Sequence, residues 1–429
     1  MPLKKQLGFW PVVLSGIGII IGAGIYALVG KAAGISGYWI WAGFLVSAFV
    51  AVLTGLSYAE LSSMIPKAGA EFHYTKKAYG RRVGFITGWI LILAGVISCA
   101  TVALGFGNYF FSLFGISPVL AAIGLLASCI FLISKGIKES VTIGVIFTVF
   151  EALGLIFIIL ISLPFVFSGG NFARIFDFST FDLFSIIKTA ALVFFAFIGF
   201  EEIVRLAEET KNAEKNIPKA LFAAIAFSTV IYILVSISAV SVLTPQELAA
   251  SNAPLGDVAG KILGPNAFLI LSGIALIATA STVLLILIAT SRIVYGIAED
   301  KELPHIIAKV DRKTHTPIIA VALSGILAMA FLFVGGIELI ANSTDLMLFI
   351  AFAIVNLTVI RLRFSEPKMH RPFKIPFNIG RVPIPAVLGF LTSSLLMFGI
   401  NKDAFIVGLG LVALGIAFEE FHYRKFIKF

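Results

Sequence analysis

Three short stretches carry residue types on which chemistry could be built. The first is Ser15-Gly16-Ile17-Gly18-Ile19-Ile20-Ile21-Gly22-Ala23-Gly24-Ile25-Tyr26, where four glycines crowd the middle of an apolar run. Glycine weakens a helix interior by about 1 kcal/mol relative to alanine, so the crowding needs a reason. Gly18 and Gly22 form a G-x-x-x-G pattern that lets two helices pack closely. The other reading is an interruption at Gly22-Ala23-Gly24, where freed amides face an anion and freed carbonyls a cation. The second stretch is Phe194-Phe195-Ala196-Phe197-Ile198-Gly199-Phe200-Glu201-Glu202, a glycine and two acids in a run too apolar to be a loop. The third centres on Glu151, about ten residues into an apolar run and so about 15 Å deep at 1.5 Å per residue. That depth is close to a bilayer midplane. A lone ionised carboxylate there is costly, so Glu151 is expected to be protonated or partnered. A carboxyl that exchanges its proton near neutral pH can couple a movement to that proton. The plainer role is a permanently neutral or hydrogen-bonded structural glutamate.

Composition says what must hold these stretches. Of 429 residues, 59% are apolar and 13% charged, phenylalanine alone occurs 41 times, and the mean hydropathy is +1.05. A soluble fold of this size cannot hide that much apolar surface. Disordered, collagenous and disulfide-rich secreted classes are excluded, and a polytopic membrane protein follows. Cys99 and Cys129 lie in apolar runs without metal or disulfide spacing. The five histidines (His73, His305, His315, His370, His422) sit in polar connectors or the tail. No cofactor, metal site or enzymatic constellation is therefore expected.

Apolar runs of spanning length recur about twelve times. The expected spans are 9–30, 39–63, 83–111, 118–134, 141–165, 185–206, 219–243, 266–293, 317–334, 339–360, 383–400 and 404–421. The first run continues to Val29, too long for a cleaved signal peptide. With the N-terminus inside, 27 of the 32 Lys and Arg fall on the inner side, and only Lys31, Arg174, Lys188, Lys261 and Lys402 on the outer. This bias predicts cytoplasmic N- and C-termini in a cell membrane. It also accounts for the net charge of +9 without a nucleic-acid partner. The first and sixth spans are five apart and so oppositely oriented, as two inverted five-helix halves require.

Ile20-Ile21-Gly22-Ala23-Gly24-Ile25-Tyr26 resembles the first-span motif of the amino acid–polyamine–organocation (APC) transporter superfamily. So do Ser57-Tyr58-Ala59-Glu60-Leu61 through Pro66-Lys67-Ala68-Gly69-Ala70-Glu71, Phe195 to Glu202 with Asn216-Ile217-Pro218-Lys219-Ala220, and Arg371-Pro372-Phe373-Lys374-Ile375-Pro376. Four motifs in order cover nearly the whole chain. The resemblance implies an all-α fold of about 12 transmembrane helices, a five-plus-five inverted repeat with broken helices 1 and 6. Residues 1–165 form the first repeat, 185–360 the second, and 383–421 the last two helices. It implies secondary amino acid transport by alternating access, not enzymatic activity.

The same resemblance suggests where an amino acid binds. Amides around Ala23, Gly24 and Ile25 take its carboxylate, and carbonyls near Ile20, Ile21, Phe194 and Ala196 its ammonium. Gly22 and Gly24 permit close approach. Phe195 matches the family's aromatic gate, and Phe197 and Gly199 complete the second break. No charged side chain is evident in the first and third spans or the centre of the tenth, and Asp345 is expected near that span's outer end. Small or apolar neutral L-amino acids, moved with H⁺, are therefore expected. Glu151 is the expected coupling residue, and Glu201 a gate or proton exit within a network of Glu201, Arg205, Glu208 and Glu209. Glu60 is expected to pair with inner basic residues. Some proton-coupled relatives place a lysine where Glu151 stands, so Na⁺ held by Glu151 with Thr279, Ser281 or Thr282 stays open. Amino acid or polyamine exchange, a channel and a membrane amino acid sensor also stay open.

Overall fold

The computed structural model describes residues 7–65, 70–135, 140–168, 171–206, 210–311, 314 and 316–426. In chain order the helices are α1 Phe9–Ile20, α2 Ala23–Ser36, α3 Ile40–Met64, α4 Ala70–Tyr79, α5 Arg81–Phe114, α6 Pro118–Ser134, α7 Ser140–Phe167, α8 Asn171–Ile175 and α9 Leu183–Val193. They continue as α10 Phe200–Arg205, α11 Ala213–Val242, α12 Pro245–Ala250, α13 Pro254–Leu263, α14 Pro265–Glu299, α15 Ile318–Phe331, α16 Ile337–Ser365, α17 Ile384–Met397 and α18 Lys402–Phe426. Every expected apolar run is helical, several longer than the sequence suggested. Local signals set the ends. Pro occupies the first turn of α6, α12, α13, α14 and α17, where its missing N–H costs nothing. Thr244 and Glu247 form a reciprocal capping box on α12.

By length and apolar composition, six of the described helical stretches suffice to cross a membrane, or seven with the α17–α18 pair, which bends through 118°. The other apolar helices are shorter: Phe9–Ile20, Pro118–Ser134, Leu183–Phe197 and Ile318–Phe331. Two of these are short because a break divides the expected span. The first break falls at Ile21–Gly22, between α1 and α2. The second follows a 3₁₀ turn over Phe194–Phe197, and Gly199 there adopts φ +112°, a conformation that favours glycine.

The connectors hold more structure than expected. The 244–264 region folds into α12 and α13 because Leu248, Leu255, Val258 and Ala259 are buried there. The 361–382 connector ends in a hairpin of β1 Asn378–Ile379 and β2 Val382–Pro383. α5 packs along α14 and α16, and α11 along α3 and α1, so the long helices enclose both breaks.

The basic end of α3 and α16 is held by one carboxylate. Glu60 is 0% exposed. It accepts from Arg363 Nη2 at 2.5 Å, Arg363 Nε at 2.9 Å and the Ile375 amide at 2.9 Å. Arg371 Nε lies 3.4 Å away, and Arg363 also reaches the Asn378 side chain. A buried charge persists only when paired and hydrogen-bonded in this way. The expected pairing of Glu60 with basic residues is what the fold shows.

Candidate functional site

The two breaks touch. A Cβ added to Gly24 would lie 2.5 Å from Ala196 Cα, and one on Gly199 would collide with Ile19. Glycine at both positions is therefore what lets two backbones meet. Ile21, Gly22, Ala23, Gly24 and Ile25 thus come together with Ala196 and Gly199, and all seven are buried.

A helix begins with orphan amides. At the start of α2, the Gly22 amide turns back to Ile20 O at 2.8 Å. The Ala23 amide donates to Thr282 Oγ1 on α14 at 3.3 Å. Gly24 and Ile25 follow, and helix geometry gives their N–H groups no intrahelical acceptor. The positive end of the α2 dipole adds to them. At the second break the chain caps itself: Glu201 Oε2 accepts from the Gly199 amide at 2.9 Å. Glu201 is thus tied to the break. Glu208 and Glu209 lie outside the described residues, as does the Arg205 side chain.

The freed carbonyls have one shared partner that sequence reasoning missed. Tyr232 Oη on α11 lies 2.6 Å from Ile20 O and 2.9 Å from Ala196 O. Two other tyrosines brace the same place. Tyr26 Oη donates to the Glu151 carbonyl at 2.8 Å, and Tyr109 Oη donates to Tyr26 O at 3.1 Å. The available signal was chemical: a phenol inside an apolar span must find an acceptor.

The aromatic residues of the second break divide by role. Phe194 meets Phe349 at 5.0 Å and Phe352 at 5.7 Å edge to face, both on α16. Phe197 meets Tyr232 at 5.3 Å. Phe195 is buried but has no ring partner among the described residues.

Glu151 is 2% exposed and partnered. Ser281 Oγ lies 2.8 Å from its Oε1 and 2.9 Å from Ala278 O. An ionised Glu151 accepts the serine hydrogen. A protonated Glu151 donates to the serine oxygen while Ser281 turns its hydrogen to Ala278. The Glu151–Ser281 hydrogen bond can form in both states. The next residue, Thr282, holds the Ala23 amide, so adjacent residues of α14 touch the carboxylate and the first break. Thr279 bonds back within its own helix, to Ala275 O at 2.7 Å, and does not join them.

Asp345 lies about 12 Å along α16, in the first third of that 29-residue helix. It is 0% exposed.

The amino acid permease family model matches residues 7–419. The branched-chain amino acid permease BcaP of Bacillus subtilis is 28% identical, over 99% of this chain and 94% of its own. The methylthioribose transporter of the same organism is 29% identical, over 89% and 86%. Cationic amino acid transporter 2, vacuolar, of Arabidopsis thaliana is 29% identical, over 94% and 68%. All three are named as permeases or transporters, and none as an enzyme. With a family match from end to end and two broken helices in contact, this multi-pass membrane protein belongs to the amino acid permease family.

Proposed function

We propose that the protein is a secondary active transporter that takes up small or apolar neutral L-amino acids together with protons by alternating access. In this reading it lies in the cell membrane with both termini cytoplasmic. Residues 1–165 and 185–360 are the two inverted repeats, and 383–421 the appended helices. The substrate carboxylate takes the Gly24 and Ile25 amides. Its ammonium takes the Ile20 and Ala196 carbonyls, and an apolar side chain lies along Phe194, Phe349 and Phe352. The contact of Gly24 with Ala196 carries the reading, because it joins open amides and carbonyls at a point suited to one α-amino acid. Glu151 carries the coupled proton, supported by a hydrogen-bond arrangement that serves both of its protonation states. Through Ser281 and Thr282 it is linked to the first break.

The test is uptake of labelled L-leucine and L-alanine into proteoliposomes under an inside-alkaline pH gradient without sodium. Accumulation that vanishes when the gradient is collapsed is expected. Accumulation that requires sodium instead overturns the proton assignment. Counterflow without net accumulation under either gradient makes the protein an exchanger. Absence of counterflow with any amino acid overturns the transport reading.

A further inference from the structure

The 361–382 connector carries six Lys and Arg and a single acid, Glu366. Its basic residues divide in two. Arg363 and Arg371 are taken up inside the protein by Glu60. Lys374 and Arg381 are exposed, and neither forms an ion pair with a described residue. These two flank β1, where Phe377 is 79% and Ile379 73% exposed. Two large apolar side chains at one hairpin thus forgo the burial such residues normally find.

The backbone holds them outward. Phe377 has φ +56°, a conformation that a bulky residue avoids. Its carbonyl accepts from the Ile384 amide at 3.0 Å, next to the Asn378–Pro383 and Ile379–Val382 pairs. Asn378, between the two apolar residues, is tied back to the protein. Its Nδ2 donates to Ile375 O at 2.8 Å, and Arg363 reaches its Oδ1. The hairpin then leads straight into α17. Leu388, Leu391 and Leu395 of that helix are exposed at i, i+3 and i+7, the stripe that a membrane helix turns to lipid. Leu388 lies about 6 Å along α17, so the lipid-facing surface begins about one helical turn from the hairpin.

We infer that this hairpin docks on the bilayer surface: Phe377 and Ile379 enter the interfacial layer, and Lys374 and Arg381 hold the phosphate of an anionic phospholipid. Apolar insertion and attraction of basic residues to anionic headgroups reinforce one another at such a surface. A free phosphate would engage the two cations and leave Phe377 and Ile379 in water. A phospholipid serves all four, and its acyl chains continue the surface that α17 already meets. The hairpin is also joined to the buried Glu60 cluster, through the Ile375 amide and through Arg363. A docked lipid therefore bears on the joint between α3 and α16 and stabilises the folded protein.

Phosphatidylglycerol is titrated into the detergent-solubilised protein while the melting temperature is followed, with phosphatidylcholine and inorganic phosphate as controls. Wild type is expected to melt higher with phosphatidylglycerol than with either control. The concentration giving half of that rise is expected to increase at least fivefold in Lys374→Gln/Arg381→Gln. An equal response in that variant overturns the proposal, as does a rise matched by phosphatidylcholine or by inorganic phosphate. Insertion is read separately, on Ile379→Cys carrying a polarity-sensitive dye in nanodiscs that contain phosphatidylglycerol. Cys99 and Cys129 are buried, and the unsubstituted protein is the labelling control. Blue-shifted emission, quenched by lipids spin-labelled near the headgroup, is expected. Emission typical of water overturns the docking. Emission that shifts only when a soluble protein fraction is added also overturns it and gives the face to a protein partner.

Discussion

Glu60 and Asp345 are both wholly buried, and their company is opposite. Glu60 accepts three hydrogen bonds and lies in an ion pair with two arginines at the basic end of α3 and α16. Among the described residues, Asp345 has no hydrogen-bond partner on either oxygen. Glu151 stands between them, with one side-chain partner that serves either protonation state. Burial alone therefore does not tell a structural acid from a working one. The number of donors around it does. A carboxylate saturated by fixed donors holds helices together. One left short has capacity for a ligand or a proton.

The comparison breaks most sharply if Glu60 is deprived of its arginine. Arg363→Ala leaves a buried carboxylate underpaired and is expected to destabilise the protein by about 3–5 kcal/mol, measured by denaturant unfolding in detergent. A loss below about 1 kcal/mol would show that the cluster is not structural. Gly24→Leu drives a side chain into the Ala196 backbone, and substrate affinity in a binding assay is expected to fall more than tenfold. Retained affinity would remove the crossing of the two breaks from the site. Glu151→Gln is expected to lower pH-gradient-driven accumulation about tenfold and counterflow far less. Intact proton-driven accumulation would sink its role as proton carrier. Tyr232→Phe removes the donor shared by Ile20 and Ala196 and should cost about 1 kcal/mol of stability. The smallest effect belongs to an exposed carboxylate. Asp182 accepts from Ser185 and from the Phe184 amide at the start of α9, and these bonds hold its carboxyl below the usual carboxylate range. A carboxyl lowered on folding adds stability above its unfolded pKa and loses it as pH falls through the folded value. Asp182→Ala should therefore lower the melting temperature slightly at neutral pH and not at all in strong acid.

Much of this was legible locally. Apolar runs mark the spans, glycine crowding marks the first break and a glycine followed by two acids the second, and the depth of Glu151 requires a partner or a proton. Periodicity could not reveal which helices meet. Tyr232 and Ile20 are separated by 212 positions, and nothing in the apolar sequence around the tyrosine names its acceptors. Asn342 to Thr344, just before Asp345, are polar residues inside the expected 339–360 span. In the fold they are the second turn of α16, and Asn342, Ser343 and Thr344 bond back to carbonyls of their own helix. Connector helices α12 and α13 escaped notice because each is only a few turns long.

A phenol owns a single hydrogen. Tyr232 sets that hydrogen between the carbonyls of Ile20 and Ala196, and because Ile20 O also takes the Gly22 amide, Ala196 O is left short whenever the hydrogen turns to Ile20. The crossing of the broken helices is thus a pole of negative potential made of main-chain dipoles. Unlike an acidic side chain, such a pole does not fade as the medium acidifies, and no point mutation deletes a carbonyl. Its pull on a positive centre is a property of the backbone path, which leaves the surrounding side chains free to change what else is recognised.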